Sequence, residues 1–250
     1  RPGPATGMAT HSGQGDLRFV LHASTDEFPR IVMAPGDAEE CFHLTIDAFN
    51  LADKYQMPVI ILTDKYLGES YKTVDGFASK IAIDRGDIAT EDELITGGYK
   101  RYKITESGVS PRSIPGQRNG MFVASSYEHD EEGYEREEEE VRITMHDKRY
   151  RKFQHAAKEV ASRSVKIHGN GTADFAIISW GSPKGPILEA MKMLEKEGIS
   201  VNYIQAVFLS PFPAARIKEL MKKFRTIVVE NNKTSQLSGL IKEHTGLDTD

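Results

Sequence analysis

Arg30-Ile31-Val32-Met33-Ala34-Pro35-Gly36-Asp37 opens the stretch that decides the fold, and Pro58-Val59-Ile60-Ile61-Leu62-Thr63-Asp64 closes it. Arg30 to Ala34 and Val59 to Thr63 are short apolar runs bounded by prolines, a pattern that predicts buried parallel strands. Between them Ala38, Cys41, Phe42, Thr45, Ala48, Phe49 and Ala52 recur at helical spacing, which predicts a helix over 38–54 with that face turned to the core. Asp37 stands where an N-cap acceptor is wanted, and Glu40 three residues on completes the pattern of a capping box. Strand, helix and strand make a βαβ unit. A further helix is expected before it, over residues 14–23.

A second unit of the same kind begins near Ala173. Phe175 to Trp180, Val201 to Val207 and Thr226 to Glu230 read as strands, and the segments between carry Ile187, Leu188, Met191 and Leu194, then Ile217, Leu220, Met221 and Phe224. Ser182 with Pro183 suits a helix start and Gly198 a stop. Such alternation implies crossovers onto a parallel sheet. From about 65 to 165 the periodicity weakens, and Gly97-Gly98, Ser110-Pro111 and Pro115-Gly116 signal turns. The acidic run Glu135 to Glu140 and the basic run Arg149 to Lys152 are expected in a solvated hairpin or helix, or at a subunit contact. His146 and His155 read as surface residues, because neither has a partner at metal-ligand spacing.

Composition bounds the function. With 250 residues, 39% hydrophobic and 28% charged, the chain is ordinary for a globular protein with a sizeable core. A net charge of −5 with scattered Lys and Arg gives no footprint for a nucleic-acid backbone. The longest apolar runs, around Met57 to Leu62 and Phe175 to Trp180, are far too short to span a bilayer, so a cytoplasmic protein without a membrane anchor is expected. A single cysteine, Cys41, excludes an intrachain disulfide and any four-thiolate iron–sulfur cluster made by this chain alone. On its predicted helix face Cys41 reads as a small buried hydrophobe.

The opening residues, Arg1-Pro2-Gly3-Pro4-Ala5-Thr6-Gly7, hold two prolines and two glycines, which imposes a tight preset turn. Such a turn can hold Arg1 and Thr6 toward one point, where a guanidinium fork and a hydroxyl donor suit a 2-oxo acid; an ordinary solvent-exposed loop is the other reading. The segment is similar to the Arg-Gly-Gly-Pro-Ser-Thr-Gly segment of the alpha subunits of 2-oxoacid:ferredoxin oxidoreductases, with Pro2 and Ala5 as departures. Further matches follow in order: Glu27-Phe28-Pro29-Arg30, Ala34-Pro35-Gly36-Asp37-Ala38-Glu39-Glu40, Pro58 to Asp64, Tyr99-Lys100-Arg101-Tyr102 and Ser110-Pro111-Arg112. Glu128-His129-Asp130-Glu131, Trp180-Gly181-Ser182, Leu209-Ser210-Pro211-Phe212-Pro213 and Val229-Glu230-Asn231-Asn232 complete the series. The chain resembles this family over almost its whole length, closest to the 2-oxoglutarate synthase type.

What the resemblance implies is an α/β fold in two parts. Residues 1–120 are expected to form the later part of a thiamine-diphosphate-binding, pyrimidine-type domain, 121–170 a charged connector, and 171–250 a transketolase C-terminal-like parallel-sheet domain. The family's alpha subunit begins about half a domain earlier, with a Tyr-Pro-Ile-Thr-Pro segment and the glutamate that activates the cofactor, so this chain is expected to lack an N-terminal part. No Gly-Asp-Gly motif for the diphosphate and Mg2+ occurs in the sequence, and the family places it on the beta subunit. The implied reaction is oxidative decarboxylation of a 2-oxo acid on thiamine diphosphate, with electrons passed singly to iron–sulfur clusters on the partner and then to ferredoxin, and coenzyme A taking the acyl group. A hetero-oligomer with the beta subunit is therefore expected. In that scheme Arg1 and Thr6 are the catalytic and substrate-binding pair, Arg1 on the C1 carboxylate and Thr6 on the neighbouring oxygen. Asp130 would orient the substrate or the arginine, or else belong to a polar turn before the acidic stretch.

Two constellations stay open. Gly181-Ser182-Pro183-Lys184-Gly185 follows a strand and opens a helix, which fits either an anion site for the coenzyme A diphosphate at Gly181 and Ser182 or a capped helix start. Arg30, Asp64 and Lys65 would line a cofactor cleft or form a structural ion pair. Other function classes also share these features: a transketolase-like enzyme or 2-oxoacid dehydrogenase component, and a noncatalytic scaffold subunit.

Overall fold

The computed structural model describes residues 7–8, 11–77, 80–95, 98–173 and 175–250. The first half runs α1 (Leu17–His22), β1 (Ile31–Met33), α2 (Ala38–Tyr55), β2 (Val59–Ile61), then the short α3 (Lys65–Gly68) and α4 (Glu91–Ile95). A long helix α5 (Glu139–Val160) leads to β3 (Val165–His168), β4 (Phe175–Ser179), α6 (Lys184–Lys196), β5 (Val201–Ala206) and β6 (Phe208–Ser210). The chain closes with α7 (Ala214–Lys223), β7 (Arg225–Val228) and α8 (Gln236–Thr245). The expected βαβ unit is present, with β1 and β2 parallel in the register Ile31 to Val59 and Met33 to Ile61. In the second unit β5, β4 and β7 are mutually parallel, as alternation predicted. Its fourth strand, β3, was not anticipated and pairs antiparallel on the outer edge of β5. The stretch expected as a connector over 121–170 thus holds α5 and a strand of the second sheet.

The two sheets are continuous through one segment. β5 lies inside the second sheet, and after Val207 the chain carries on as β6, antiparallel to β1 of the first. Ala34 donates its amide to the Val207 carbonyl at 2.8 Å, so the crossing point is hydrogen-bonded to both sheets. One apolar core consequently draws on both halves: Leu17, Val32 and Ala34 pack with Ile178, Trp180, Ile204 and Leu237, all buried. Burial of side chains this large contributes about 1.5–3 kcal/mol each.

Some sequence expectations are corrected here. The buried face of α2 is Glu40, Leu44, Ala48, Leu51 and Tyr55, about a quarter-turn from the face expected, and Phe49 is 73% exposed. The first sheet packs on Leu44, Leu51 and Tyr55, while Phe42 turns to stack on Phe77 at 4.0 Å. Cys41 is consequently half-buried rather than sealed in the core. β2 is likewise half-buried, because it is an edge strand of a three-stranded sheet. The acidic run from Glu135 is solvated, but the basic run is not: α5 buries Lys148 to 8% exposure and half-buries Arg149 and Lys152. His155 is exposed, whereas His146 is half-buried against Tyr150, ring to ring at 4.9 Å.

The α2 cap does more than end a helix. Asp37 accepts the Glu40 amide at 2.9 Å as expected, but the Glu40 carboxylate reaches past Asp37 to the Gly36 amide at 2.6 Å. It also accepts Gln205 Nε2 at 2.7 Å, Lys184 Nζ at 2.7 Å and Lys166 Nζ at 2.8 Å. Those partners come from β5, α6 and β3, so one buried carboxylate ties the first unit to three elements of the second. Burial alone would push the Glu40 carboxyl up, and hydrogen bonds from Lys166, Lys184 and Gly36 overcome it and hold it below the ordinary value. Asp37 is depressed for the same reasons, with Lys184, the Glu40 amide and Lys72 outweighing burial.

A folded-state value below the unfolded one means that this stability is present above the ordinary carboxylate range and is lost as pH falls through the folded values. Glu40→Ala is expected to lower the unfolding free energy by about 3 kcal/mol, since it takes a counter-ion from buried Lys184 and leaves the buried Gly36 and Gln205 donors unmet. Glu40→Gln should also flatten the loss of stability below pH ~4.5. Urea unfolding followed at pH values from 7 to 3 checks both.

Candidate functional site

The carboxyl ends of the parallel strands in both sheets face one another. Asp64, just beyond β2, is 8% exposed; one oxygen caps α3 by accepting the Leu67 amide at 2.9 Å and the other accepts the hydroxyl of Ser182, which follows β4. Gly36, just beyond β1, lies against Lys184 and Gln205 so closely that a Cβ there would meet Lys184 Cδ at 2.5 Å. Open α/β sheets take ligands outside the carboxyl ends of their strands, where diverging loops leave a crevice. A cavity of about 460 Å³ lies at this edge, walled by Ile187, Pro186 and Val229, with Ser12, Tyr66 and Asn231 supplying polar groups.

The segment that follows the opening turn is fastened to the same edge. The Gln14 side chain, 2% exposed, donates Nε2 to the Trp180 carbonyl at 2.8 Å and accepts the Asn231 amide at 2.8 Å. The Gln14 amide returns a bond to the Asn231 carbonyl at 2.8 Å. Ser12 Oγ accepts the Tyr66 amide at 2.5 Å. These bonds span the ends of β4 and β7 and the start of α3. Arg1 and Thr6 themselves lie outside the described residues.

The other sequence candidates are placed as follows. Gly181 adopts the left-handed conformation, φ 68°, that lets the chain turn from β4 into α6. The Ser182 hydroxyl is engaged by buried Asp64, and Lys184 directs its ammonium to Asp37 and Glu40. A buried carboxylate beside the first turn of α6 works against an anion there, so the geometry favours the helix-start reading of Gly181 and Ser182. The start is also not capped in the expected way, for Ser182 gives its hydroxyl to Asp64 and Pro183 precedes the first helical residue. Arg30 donates to the Val20 and Ala23 carbonyls at 3.1 and 2.6 Å and lies 4.1 Å from the Phe28 ring centre, so it fastens the end of α1. Lys65 pairs with Glu69.

Asp130 closes a turn. One carboxylate oxygen accepts the amides of Glu132, Gly133 and Tyr134, each at 3.0 Å, and the other accepts Arg136 Nε at 3.0 Å. Its neighbours are similarly engaged: Glu128 holds Arg142 and Arg149, and Glu131 holds Lys100 and the Ile104 amide. Among the described residues no three His, Cys, Asp or Glu side chains gather as metal ligands. Gln14 and Asn231 escaped the sequence reading as site residues. The only signal was a polar Val229-Glu230-Asn231-Asn232 end to an apolar strand, and Gln14 had none.

Two linked α/β units that meet at their strand carboxyl ends define the class to which comparison with known proteins then gives a family. The profile described as pyruvate flavodoxin/ferredoxin oxidoreductase, thiamine diphosphate-binding, matches residues 1–148, and that for pyruvate:ferredoxin oxidoreductase core domain II matches 173–246. The chain belongs to this oxidoreductase family. It is 42% identical over 253 residues to the 2-oxoacid:ferredoxin oxidoreductase subunit alpha of Saccharolobus solfataricus, covering 99% of this chain and 39% of that relative. It is 28% identical over 233 residues to the 2-oxoglutarate synthase subunit KorA of Methanocaldococcus jannaschii, covering 93% and 60%. Among solved structures, the 2-oxoglutarate:ferredoxin oxidoreductase from Magnetococcus marinus with 2-oxoglutarate, coenzyme A and succinyl-CoA bound matches with a TM-score of 0.90 and 34% identity, over 100% of this chain and 43% of that one. The chain spans about two fifths of the length of the first of these relatives. No helix of the described residues is long and apolar enough to cross a membrane.

If Asp130 acts through its turn, Asp130→Ala should lower stability by about 1–2 kcal/mol, the cost of orphaned amides, without a selective rise in the KM for a 2-oxo acid. Thermal unfolding beside steady-state kinetics of the complete enzyme separates this from a substrate-orienting role, which would raise KM or lower kcat at unchanged stability.

Proposed function

We propose that this chain is the alpha-subunit portion of a cytoplasmic 2-oxoacid:ferredoxin oxidoreductase, which oxidatively decarboxylates a 2-oxo acid to acyl-CoA and CO2 and passes the electrons to ferredoxin. The observation that carries the reading is the anchoring of residues 12–14 on the facing carboxyl ends of the two sheets, in a chain of this family. That anchoring leaves the Arg1 to Gly7 turn, a short reach upstream, within range of the same crevice. In this reading Arg1 grips the C1 carboxylate with a two-pronged charge-assisted pair and Thr6 directs its hydroxyl to the adjacent oxygen. Together they hold the 2-oxo carbon in a reactive orientation, a contribution realised mainly in turnover. 2-Oxoglutarate is the favoured substrate, supported by the likeness to KorA and to the Magnetococcus enzyme.

Thiamine diphosphate would supply the carbanion chemistry and coenzyme A the acyl acceptor. No Gly-Asp-Gly segment that would hold the diphosphate and Mg2+ end of that cofactor occurs in the sequence. The proposal gives that end, and the iron–sulfur cluster, to a beta subunit. This chain's part is to bind and orient the substrate and to wall the crevice with apolar side chains that keep water out.

Arg1→Ala in the complete enzyme should lower kcat by on the order of a hundredfold or more, as expected for a lost positioning contact at the reacting carbon. The assay is 2-oxo-acid-dependent reduction of a viologen dye across a panel of pyruvate, 2-oxoglutarate and larger acids. Unchanged kinetics with every acid would remove Arg1 from the site, and dye reduction by pyruvate alone would remove the 2-oxoglutarate preference.

A further inference from the structure

The amino end of the β1–β2 pair is built differently from the carboxyl end. Phe28 and Pro29 lead into β1 and Gln56 to Pro58 into β2, and beside them is a cavity of about 260 Å³ lined by Arg101, Lys148, Arg149 and Lys152, with Tyr102 and His129 at its wall. Two of the family-like motifs, Tyr99 to Tyr102 and Glu128 to Glu131, supply one side of it. α5 supplies the other, because Lys148 and Lys152 stand one helical turn apart on one face.

The cations outnumber their partners. Glu128 neutralises Arg149, and among the described residues no carboxylate forms an ion pair with Arg101, Lys148 or Lys152. Lys152 donates to the Gln56 carbonyl at 2.5 Å, and Arg101 stands 5.3 Å from the Tyr102 ring centre. Lys148, 8% exposed, has no acceptor among the described residues. Burying positive groups side by side without a counter-ion is costly, and an oxyanion in the cavity would offset the cost. Three uncompensated cations on one small cavity match a dianion better than a single carboxylate, and the guanidinium fork of Arg101 matches two oxygens of one phosphorus.

We propose that this cavity is a phosphate-binding site, in which Arg101, Lys148 and Lys152 hold the phosphate group of a free or esterified ligand at the amino end of β1 and β2. The inference stands apart from the 2-oxo acid reading, and its readouts do not involve turnover.

The charges around the lysines give the proposal a pH signature. Burial, then Arg101, Arg149 and Arg151, lower Lys148 to about 8, against an opposing pull from Glu131. Burial, then Lys148, Arg101 and Arg149, lower Lys152 to about 7. The groups facing them are Arg149 on α5, Arg101 and Tyr102 on one loop, and Glu128, His129 and Glu131 on the other. A bound dianion raises both lysines, so binding near pH 8 takes up protons and weakens as pH rises from about 7.5 to 8.5.

The test is made on the full-length protein in its native assembly. Titration calorimetry with inorganic phosphate, in buffers of different ionisation enthalpy, is set beside trace acetylation of lysines read by peptide mass spectrometry. Expected are phosphate binding with proton uptake, phosphate protection of Lys148 and Lys152 from acetylation, and a loss of affinity of about tenfold or more in Lys148→Met and in Arg101→Gln. Lys148→Met should also unfold at the same or a higher temperature than the parent without phosphate, and lose the upward shift that phosphate gives the parent. Adenosine monophosphate binding more tightly than inorganic phosphate would mark an ester as the ligand, and the reverse a free anion; either is the proposed chemistry. Absence of phosphate protection in the parent protein overturns the proposal even if a variant fails to fold. So do binding that survives both substitutions, and lysines shielded in the assembly without phosphate but open once it is taken apart, since an acidic segment of a neighbouring chain would then be the occupant.

Discussion

A carboxylate taken out of water must have its oxygens met from every side, and Glu40 has four donors for two oxygens. Because those donors belong to the turn after β1, to β3, to α6 and to β5, the charge is satisfied only when the two sheets stand in one mutual position. The continuous run of β5 into β6 makes the second link, by backbone bonds rather than charge. With both in place, the loops that leave β1 and β2 are brought onto those that leave β4, and the Asp64–Ser182 contact closes the join. The crevice between the carboxyl ends is a product of this docking.

The two ends of the β1–β2 pair then have opposite electrical characters. At the carboxyl end the polar side chains are spent on one another: Asp64 on Ser182, Gln14 on Trp180 and Asn231, Lys184 on Asp37 and Glu40. What faces the cavity there is mainly apolar wall, suited to excluding water. At the amino end positive charge is left over, and two lysines sit near neutrality in their proton binding. The proposed function draws on the first end. The second calls for an anion that the described residues do not supply.

The Glu128-His129-Asp130-Glu131 segment shows how much local structure one conspicuous motif can hold. Asp130, the expected orienter of substrate or arginine, holds a turn, Glu128 an arginine pair, and Glu131 a lysine and a loop amide. In the same segment His129 presents a ring to the cationic cavity, and Glu128 fixes Arg149 there.

Periodicity and caps alone determined the βαβ units, the alternation of the second half and the Asp37 cap, because these depend on near neighbours along the chain. The Arg1 to Gly7 segment and the ordered series of motifs pointed to the family for a similar reason, being local strings. The tertiary structure decided which face of α2 is buried, that Lys148 is buried and Lys152 half-buried while Glu135 to Glu140 lie in water, and that Gln14 and Asn231 meet at one edge. It also added β3 and the passage of β5 into β6. Each of these depends on partners far away in sequence: Phe49 is exposed because Leu44, Leu51 and Tyr55 are the residues the first sheet reaches, and no local pattern reports what lies opposite a side chain after the chain has closed on itself.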